Sequence, residues 1–323
     1  MFQTKIDIPG TDFKISYSDS ILTLGSCFAE NIGQKLNNLF FETDINPFGV
    51  LYNPVSVKNS IELLLQNRLF TPEDVFEYKS LWQSFSHSSL FSGLSEGECL
   101  NRINSRLISS GDFLRKTNIL LITFGTAWVF EEKKSGRVVS NCHKLPAGVF
   151  VKRRLTVEEI VSDFKTIIIN LRTLYPKLTI VFSVSPIRHW KEGAHENNIS
   201  KSILMLAIDE IQKQHGNIHY FPAYEILMDE LRDYRFYARD MLHPSEVAVD
   251  YIWQRFSETF FTEQTQRIVK KVEQLVADMS HRPFQPDSPE FKMFLENTEK
   301  RKTELLNEFP FLSNRMNLKR ASL

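Results

Sequence analysis

Apolar residues recur along this chain in two rhythms: short unbroken runs, and longer stretches at three- and four-residue spacing. Ile21 to Leu24, Asn118 to Phe124, Leu178 to Val184 and Ile218 to Phe221 are runs of the first kind, and Glu42 to Ile45 is a shorter strand. A run with little polar alternation is what a parallel strand covered on both faces requires. Helical spacing fills the intervals. In Cys27 to Phe40 the residues Ala29, Ile32, Leu36 and Leu39 share one face, and Glu30, Asn31, Gln34 and Lys35 fill the other. Val55 to Leu65 predicts the next helix, with Asn53-Pro54 as its start, and Gly97 to Leu114 another. Thr156 to Tyr175 is a long one, opened by a Thr156 cap with Glu159 three residues on. His195 to His215 follows, and Pro244 to Phe261 closes the series with Val247, Val249, Ile252 and Phe256 towards the core. Val129 to Val139 predicts a hairpin turning at Lys134-Ser135-Gly136. Strand and helix alternating five strands deep predict an α/β fold on a doubly wound five-stranded parallel sheet, of flavodoxin-like order.

Some stretches break that rhythm. Phe2 to Ile8 alternates weakly before Pro9-Gly10 and predicts an edge strand or an arm. Thr71-Pro72-Glu73-Asp74 resembles a helix start, whereas Trp82 to Phe91 mixes serines with aromatics as a hairpin or a lid would. Residues 66–115 are therefore expected to form a helical insertion over the active edge, since loops in such folds are normally shorter. The main domain is expected to span residues 1–261, with residues 262–323 as a helical C-terminal appendage. There, Ile268, Val269, Val272, Leu275 and Val276 make an apolar stripe, His281 to Pro289 is a proline-broken linker, and Phe291 to Leu306 is a charged helix. Whether this tail packs on the body or on a second subunit, making a homodimer, stays open.

Charge narrows the classes of partner. Lys and Arg together number 39, as do Asp and Glu, so nothing points to nucleic acid or an anionic membrane. The three cysteines, Cys27, Cys99 and Cys142, are too few for a disulfide framework. No run reaches the roughly 18 to 20 apolar residues of a membrane span, and Met1 to Gly10 lacks a signal-peptide core. A cytoplasmic address is the expectation. The 26 phenylalanines suggest a broad aromatic core.

The chemistry gathers at two distant stretches. Gly25-Ser26 ends the first strand where the first helix begins, at the carboxyl edge where open α/β sheets bind ligands. Ser26 there is a plain helix cap, or a nucleophile beside free N–H groups and the positive end of a helix dipole. A serine hydroxyl needs a base, and Asp240 and His243, three residues apart before the last helix, supply a base and its orienting carboxylate. Arg188, just past a strand's carboxyl end, is placed to pair with a carboxylate or phosphate. Cys27 is a rival nucleophile, but as the first helical residue it should turn back towards the sheet. Cys142 and His143 lack further ligands at suitable spacing, so no metal site is expected.

Taken as a set, several short motifs are similar to those of the GSCFA family, within the wider SGNH (GDSL-like) hydrolases. They are Gly25-Ser26-Cys27-Phe28-Ala29, Asn46-Pro47-Phe48-Gly49, Tyr52-Asn53-Pro54, Thr123-Phe124-Gly125-Thr126-Ala127-Trp128 and Asn141-Cys142-His143-Lys144. Ser183 to Trp190 and Tyr234 to Asp240 complete it, so the likeness runs from about residue 5 to about residue 261. The resemblance implies an SGNH hydrolase fold and a Ser26–His243–Asp240 triad, with an oxyanion held by the N–H groups of Ser26 and Gly49 and by a third donor. The superfamily's usual asparagine is missing at that third position, which leaves Thr126, Asn46 or Asn53 to serve. His143 is expected at the substrate or as a second base, or else as an ordinary surface histidine, and Asn46 either at the substrate or in a turn. The activity implied is an ester hydrolase or acyl transferase working through an acyl-enzyme on Ser26, without cofactor, on a small-molecule or glycan ester. The alternatives are a non-catalytic carbohydrate- or acyl-binding protein on the same fold, and a thiol hydrolase using Cys27.

Overall fold

The computed structural model of the chain describes residues 4–321. In chain order its elements begin with β1 (Ser20–Gly25), α1 (Cys27–Asn38), β2 (Glu42–Ile45) and α2 (Pro54–Gln66). A small hairpin of β3 (Phe76–Tyr78) and β4 (Leu81–Gln83) precedes α3 (Glu96–Lys116) and β5 (Ile119–Phe124). Then come β6 (Trp128–Glu132), β7 (Val138–Val139), β8 (Phe150–Arg154), α4 (Val157–Leu174) and β9 (Thr179–Val184). The chain continues through α5 (Gly193–Gln214), β10 (Ile218–Phe221) and α6 (Ala223–Glu225) to α7 (Glu246–Phe260), α8 (Glu263–Ser280), α9 (Pro289–Glu308) and α10 (Phe311–Ala321).

The central sheet has five strands in the order β10-β9-β5-β1-β2, and each neighbouring pair is parallel. Numbered by their sequence among the sheet strands this is 2-1-3-4-5, the flavodoxin-like order. Every residue of β1 and β5 is buried because helices cover both faces. Leu22, Leu24, Leu120, Ile122, Phe124 and Phe182 face a core shared with α2, α3, α4 and α5. Ile21, Ile119, Leu121 and Val181 face the opposite core, built with α1, α7 and α8. In the first core the rings of Phe124, Phe164 and Phe182 meet at 5.2–5.6 Å, each burial worth about 1.5–3 kcal/mol.

Local signals set the helix starts. Asn53 caps α2, whose first residue is Pro54, and Thr156 with Glu159 forms a reciprocal capping box at α4. The last helix of the main domain starts later than its pattern predicts: Ser245 is its cap and Val247 is 65% exposed, with Ala248 facing the core in its place, while Ile252 and Phe256 face the core as predicted.

Two features differ from expectation. The predicted hairpin at Val129 to Val139 belongs to a three-stranded antiparallel sheet, β7-β6-β8, whose third strand ends in Lys152-Arg153-Arg154. Charge hid that strand; Arg153 pairs with Glu131 and Glu159, and Arg154 with Glu196. Upstream, β3 and β4 join through Lys79 and Ser80, at φ +52° and +60°, a turn normally flagged by Asn-Gly.

The C-terminal helices pack on the body of the same chain. Ile268, Val272, Leu275, Leu305 and Leu312 are buried in the second core, and Arg315 donates to the carbonyls of Tyr17 and Phe40. Phe2 and Gln3, at the start of the expected edge strand or arm, lie outside the described residues; Thr4 to Ile8 run as an arm tied by Ile6 to Glu230 and Arg255. Among the described residues no helix is long and apolar enough to cross a membrane.

Candidate active site

The sheet register brings three strand ends side by side, with Gly25 opposite Thr123 and Thr123 opposite Ser183. Gly25 sits at φ +133°, and a Cβ there would lie 2.1 Å from the Thr123 carbonyl oxygen, so only glycine lets β1 turn this tightly. Ser26 follows as the cap of α1, its Oγ accepting from the Phe28 N–H at 3.3 Å. It is 1% exposed and lies on the wall of a cleft of about 520 Å³.

His243 and Leu242 reach that same cleft from the far end of the main domain. The loop from Ala238 to His243 is closed by the Ala238 N–H on the His243 carbonyl at 2.7 Å. Asp240 holds the rest: its Oδ1 accepts the N–H groups of Leu242 and His243, and its Oδ2 meets His243 Nδ1 at 2.5 Å. Those backbone N–H groups, then the imidazole, pull the Asp240 carboxyl down to about 2, so it is ionised throughout the neutral range. With Nδ1 on the carboxylate, Nε2 is the nitrogen left to take a proton. Among the described residues no hydrogen bond joins Ser26 to His243.

Of the expected oxyanion donors, the N–H groups of Ser26 and Gly49 and both donors of Thr126 are occupied in this structure. The Ser26 N–H donates to the Thr123 carbonyl at 3.1 Å and the Gly49 N–H to the Asn46 carbonyl at 2.7 Å. The Thr126 N–H donates to the Tyr52 carbonyl at 2.9 Å, and its hydroxyl lies 3.1 Å from Ser200 Oγ. Thr126 lines the cleft, whereas Gly49 does not; a Cβ on Gly49 would collide with Ser88. Asn53 also lines it: its Oδ1 is on the Ser56 N–H at 2.8 Å, which leaves the amide N–H2 group as a donor at the wall.

Asn46 and His143, two of the expected substrate contacts, are placed elsewhere. Asn46 is buried behind the strand turn, where its Oδ1 accepts the Gly25 N–H at 3.0 Å and steadies the corner that presents Ser26. His143 is 5% exposed under the hairpin segment, with Nε2 2.8 Å from the Ser84 carbonyl oxygen. Nearby His87 is 1% exposed, packed on Phe48, Phe70 and Phe91, and burial pushes its pKa down to about 3. Arg188, the third, does line the cleft. The segment 66–115 contributes none of the lining residues; Trp128, Phe130, Val139 and Lys152 of the small sheet form that wall. α3 packs Cys99, Ile103 and Leu107 into the core instead of lying over the strand ends.

One group that the sequence did not single out holds the cleft floor together. α5 carries Asn197, Ser200 and Lys201 on its buried face. Asn197 Oδ1 accepts the His189 N–H, Ser200 Oγ accepts the Ala127 N–H, and Lys201 Nζ donates to the carbonyls of Gly125 and Ser185, each at 2.7 Å. The available signal is a polar run, His195 to Ser202, where an amphipathic helix should turn apolar residues inward. Burial lowers the Lys201 pKa to about 7; burial, then Lys201, lowers that of cleft-lining His189 to about 4. Burial pushes the Cys27 thiol up, away from the thiolate a cysteine nucleophile needs. Among the described residues no group of three or more His, Cys, Asp or Glu is arranged to hold a metal ion.

Comparison with known proteins gives two family matches: the GSCFA family over residues 20–256, and the C-terminal domain of GSCFA domain proteins over residues 272–320. No curated protein matches the chain. Among solved structures it is similar to a carbohydrate esterase of family 3 from Talaromyces cellulolyticus, at 9% identity and TM-score 0.36, over 81% of this chain and 100% of that one. It is similar also to the acetyl xylan esterase Est2A from the rumen bacterium Butyrivibrio proteoclasticus, at 11% identity and TM-score 0.39, over 76% and 64%. Likeness at that level says nothing about activity.

Proposed function

We propose, from the premise that the chain belongs to the GSCFA family, that it is an esterase-type serine hydrolase or acyl transferase. The observation that carries the reading is that Ser26 and the Asp240-held His243, 217 positions apart in sequence, open onto one cleft. In this reading Ser26 Oγ attacks the acyl carbonyl while His243 Nε2 takes its proton, and Asp240 stabilises the imidazolium. The same proton then goes to the departing alcohol. Water or an acceptor alcohol releases the acyl group from Ser26 in a second, mirrored step. The occupied N–H groups at Ser26 and Thr126 must turn towards the oxyanion as the substrate enters, with the Asn53 amide as the donor already at the wall.

The test is turnover of short-chain 4-nitrophenyl esters together with labelling by a fluorophosphonate probe. Ser26→Ala and His243→Ala are each expected to lower kcat by about a thousandfold or more and Ser26→Ala to abolish labelling. Full activity in Ser26→Ala would sink the assignment. A second reading, a non-catalytic acyl- or carbohydrate-binding protein, draws support from the absent Ser26–His243 hydrogen bond and the occupied donors. Wild-type protein silent towards both probe and esters, yet binding a saccharide or an acyl chain, would favour it.

A further inference from the structure

Arg188 stands out as a cation without an anion. It lies where the active cleft meets a second one of about 570 Å³ on the other side of the His243 loop, and lines both. Its guanidinium lies over the Trp190 ring, 4.7 Å from the ring centre, and donates to Asn198 Oδ1 at 3.1 Å. Its Nε is buried without a hydrogen-bond partner. Among the described residues no carboxylate comes within ion-pair range of it, although carboxylates line both clefts. Each of those is held elsewhere: Glu192 by Lys152, Asp233 by Arg235, and Asp240 by His243. Arg232, the other arginine of the second cleft, is paired with Asp229. The loop carrying Arg188 is fixed by the Ile187 N–H on Ser185 Oγ and the His189 N–H on Asn197, and the guanidinium at its tip is held by Trp190 and Asn198.

A planar cation over an aromatic ring, with a buried N–H lacking an acceptor, matches the two oxygens of a carboxylate or phosphate. We propose that Arg188 is the recognition point for an anionic oxyacid group on the substrate, so that the cleft selects acidic esters over neutral ones. The kinetic part rests on the esterase reading; the binding part does not.

The experiment has both arms. In the first, wild type, Arg188→Gln and Arg188→Lys are assayed with 4-nitrophenyl butyrate against 4-nitrophenyl hemisuccinate, and with 4-nitrophenyl acetate against its 3-carboxy analogue. Wild type is expected to favour at least one acidic ester through KM. Arg188→Gln should cut the acidic-to-neutral ratio of kcat/KM about ten- to a hundredfold, and Arg188→Lys should keep part of it. Which pair shows the preference tells whether the anion sits on the acyl or the alcohol half. In the second arm, binding of 4-nitrobenzoate and inorganic phosphate is compared with that of 4-nitrobenzamide by titration calorimetry. The expected result is anion binding that weakens tenfold or more in Arg188→Gln, and whichever anion binds names the oxyacid. Neither anion binding more tightly than 4-nitrobenzamide, or anion binding unchanged in Arg188→Gln, overturns the proposal whatever the ester assays give. Anion binding lost with Arg188, in a protein that turns over no ester, upholds the proposal and removes only the hydrolase reading.

Discussion

Lys201 offers a measurement that reads the interior of the site floor directly. Its ammonium is wholly buried, touches two carbonyl oxygens and pairs with no carboxylate among the described residues. Burial brings its pKa from 10.5 to about 7. Below pH 7 the folded and unfolded chains both carry the proton, and the burial penalty is felt in full. Between pH 7 and 10.5 the folded chain releases the proton while the unfolded chain still holds it, so stability rises with pH at up to about 1.4 kcal/mol per unit. Integrated from pH 7 to 9, that is a gain of about 2 kcal/mol. Lys201→Met removes the titration and leaves the Gly125 and Ser185 carbonyls without their donor, at about 1–3 kcal/mol each, a cost that does not vary with pH. Urea unfolding of both proteins at pH 7 and pH 9 isolates the effect, because every other titrating group is common to the two. Wild type is expected to gain about 2 kcal/mol on the variant over this interval. Parallel pH profiles, differing by less than about 0.5 kcal/mol across the window, would refute the buried-cation argument.

Asp240→Asn should lower kcat by about a hundred- to ten-thousandfold through loss of the imidazole's tautomer control, while leaving the melting temperature nearly unchanged because the carboxylate is half exposed. An activity loss matched by an equal loss of fold would point to a loop-building role alone. Under the hairpin segment, His87 binds a proton at about pH 3 when folded and near 6.5 when unfolded. Its contribution to stability is complete above pH 6.5 and is lost as pH falls towards 3, so limited proteolysis within residues 71–93 should quicken below about pH 5. His87→Phe, filling the same aromatic nest, is expected to flatten that acid response; unchanged acid sensitivity would assign it to other groups.

The sheet was readable because burial on both faces leaves its mark on every residue of a strand. Ile119 to Phe124 allowed no other element, and Thr156 with Glu159 marked a helix start by chemistry confined to four positions. The Asp240–His243 bond was readable for the same reason, since three residues of loop bring the two side chains together. What stayed hidden depends on distant partners. β8 is polar because its charges meet carboxylates on β6, α4 and α5, and Lys-Ser at the β3–β4 turn gives no glycine to announce it. His143 looked like a site residue in a polar motif, yet what it serves is a carbonyl 59 positions earlier in the chain.

That contrast explains why the proposed nucleophile was easier to find than the pocket around it. The Ser26 corner is made by its own neighbours: a glycine that no Cβ can replace and a helix that begins one residue later. The floor of the cleft is made by loops after β5 and β9, and short loops do not choose their own conformation. Their carbonyls and N–H groups are tied to one face of α5, through Asn197, Ser200 and Lys201. A buried polar face is costly unless each group finds a partner, so these three side chains can be kept only where the loops answer them. The same four bonds fix Thr126, Arg188 and His189 relative to Ser26. The geometry on which any chemistry here depends therefore rests on a helix that touches none of the reacting atoms.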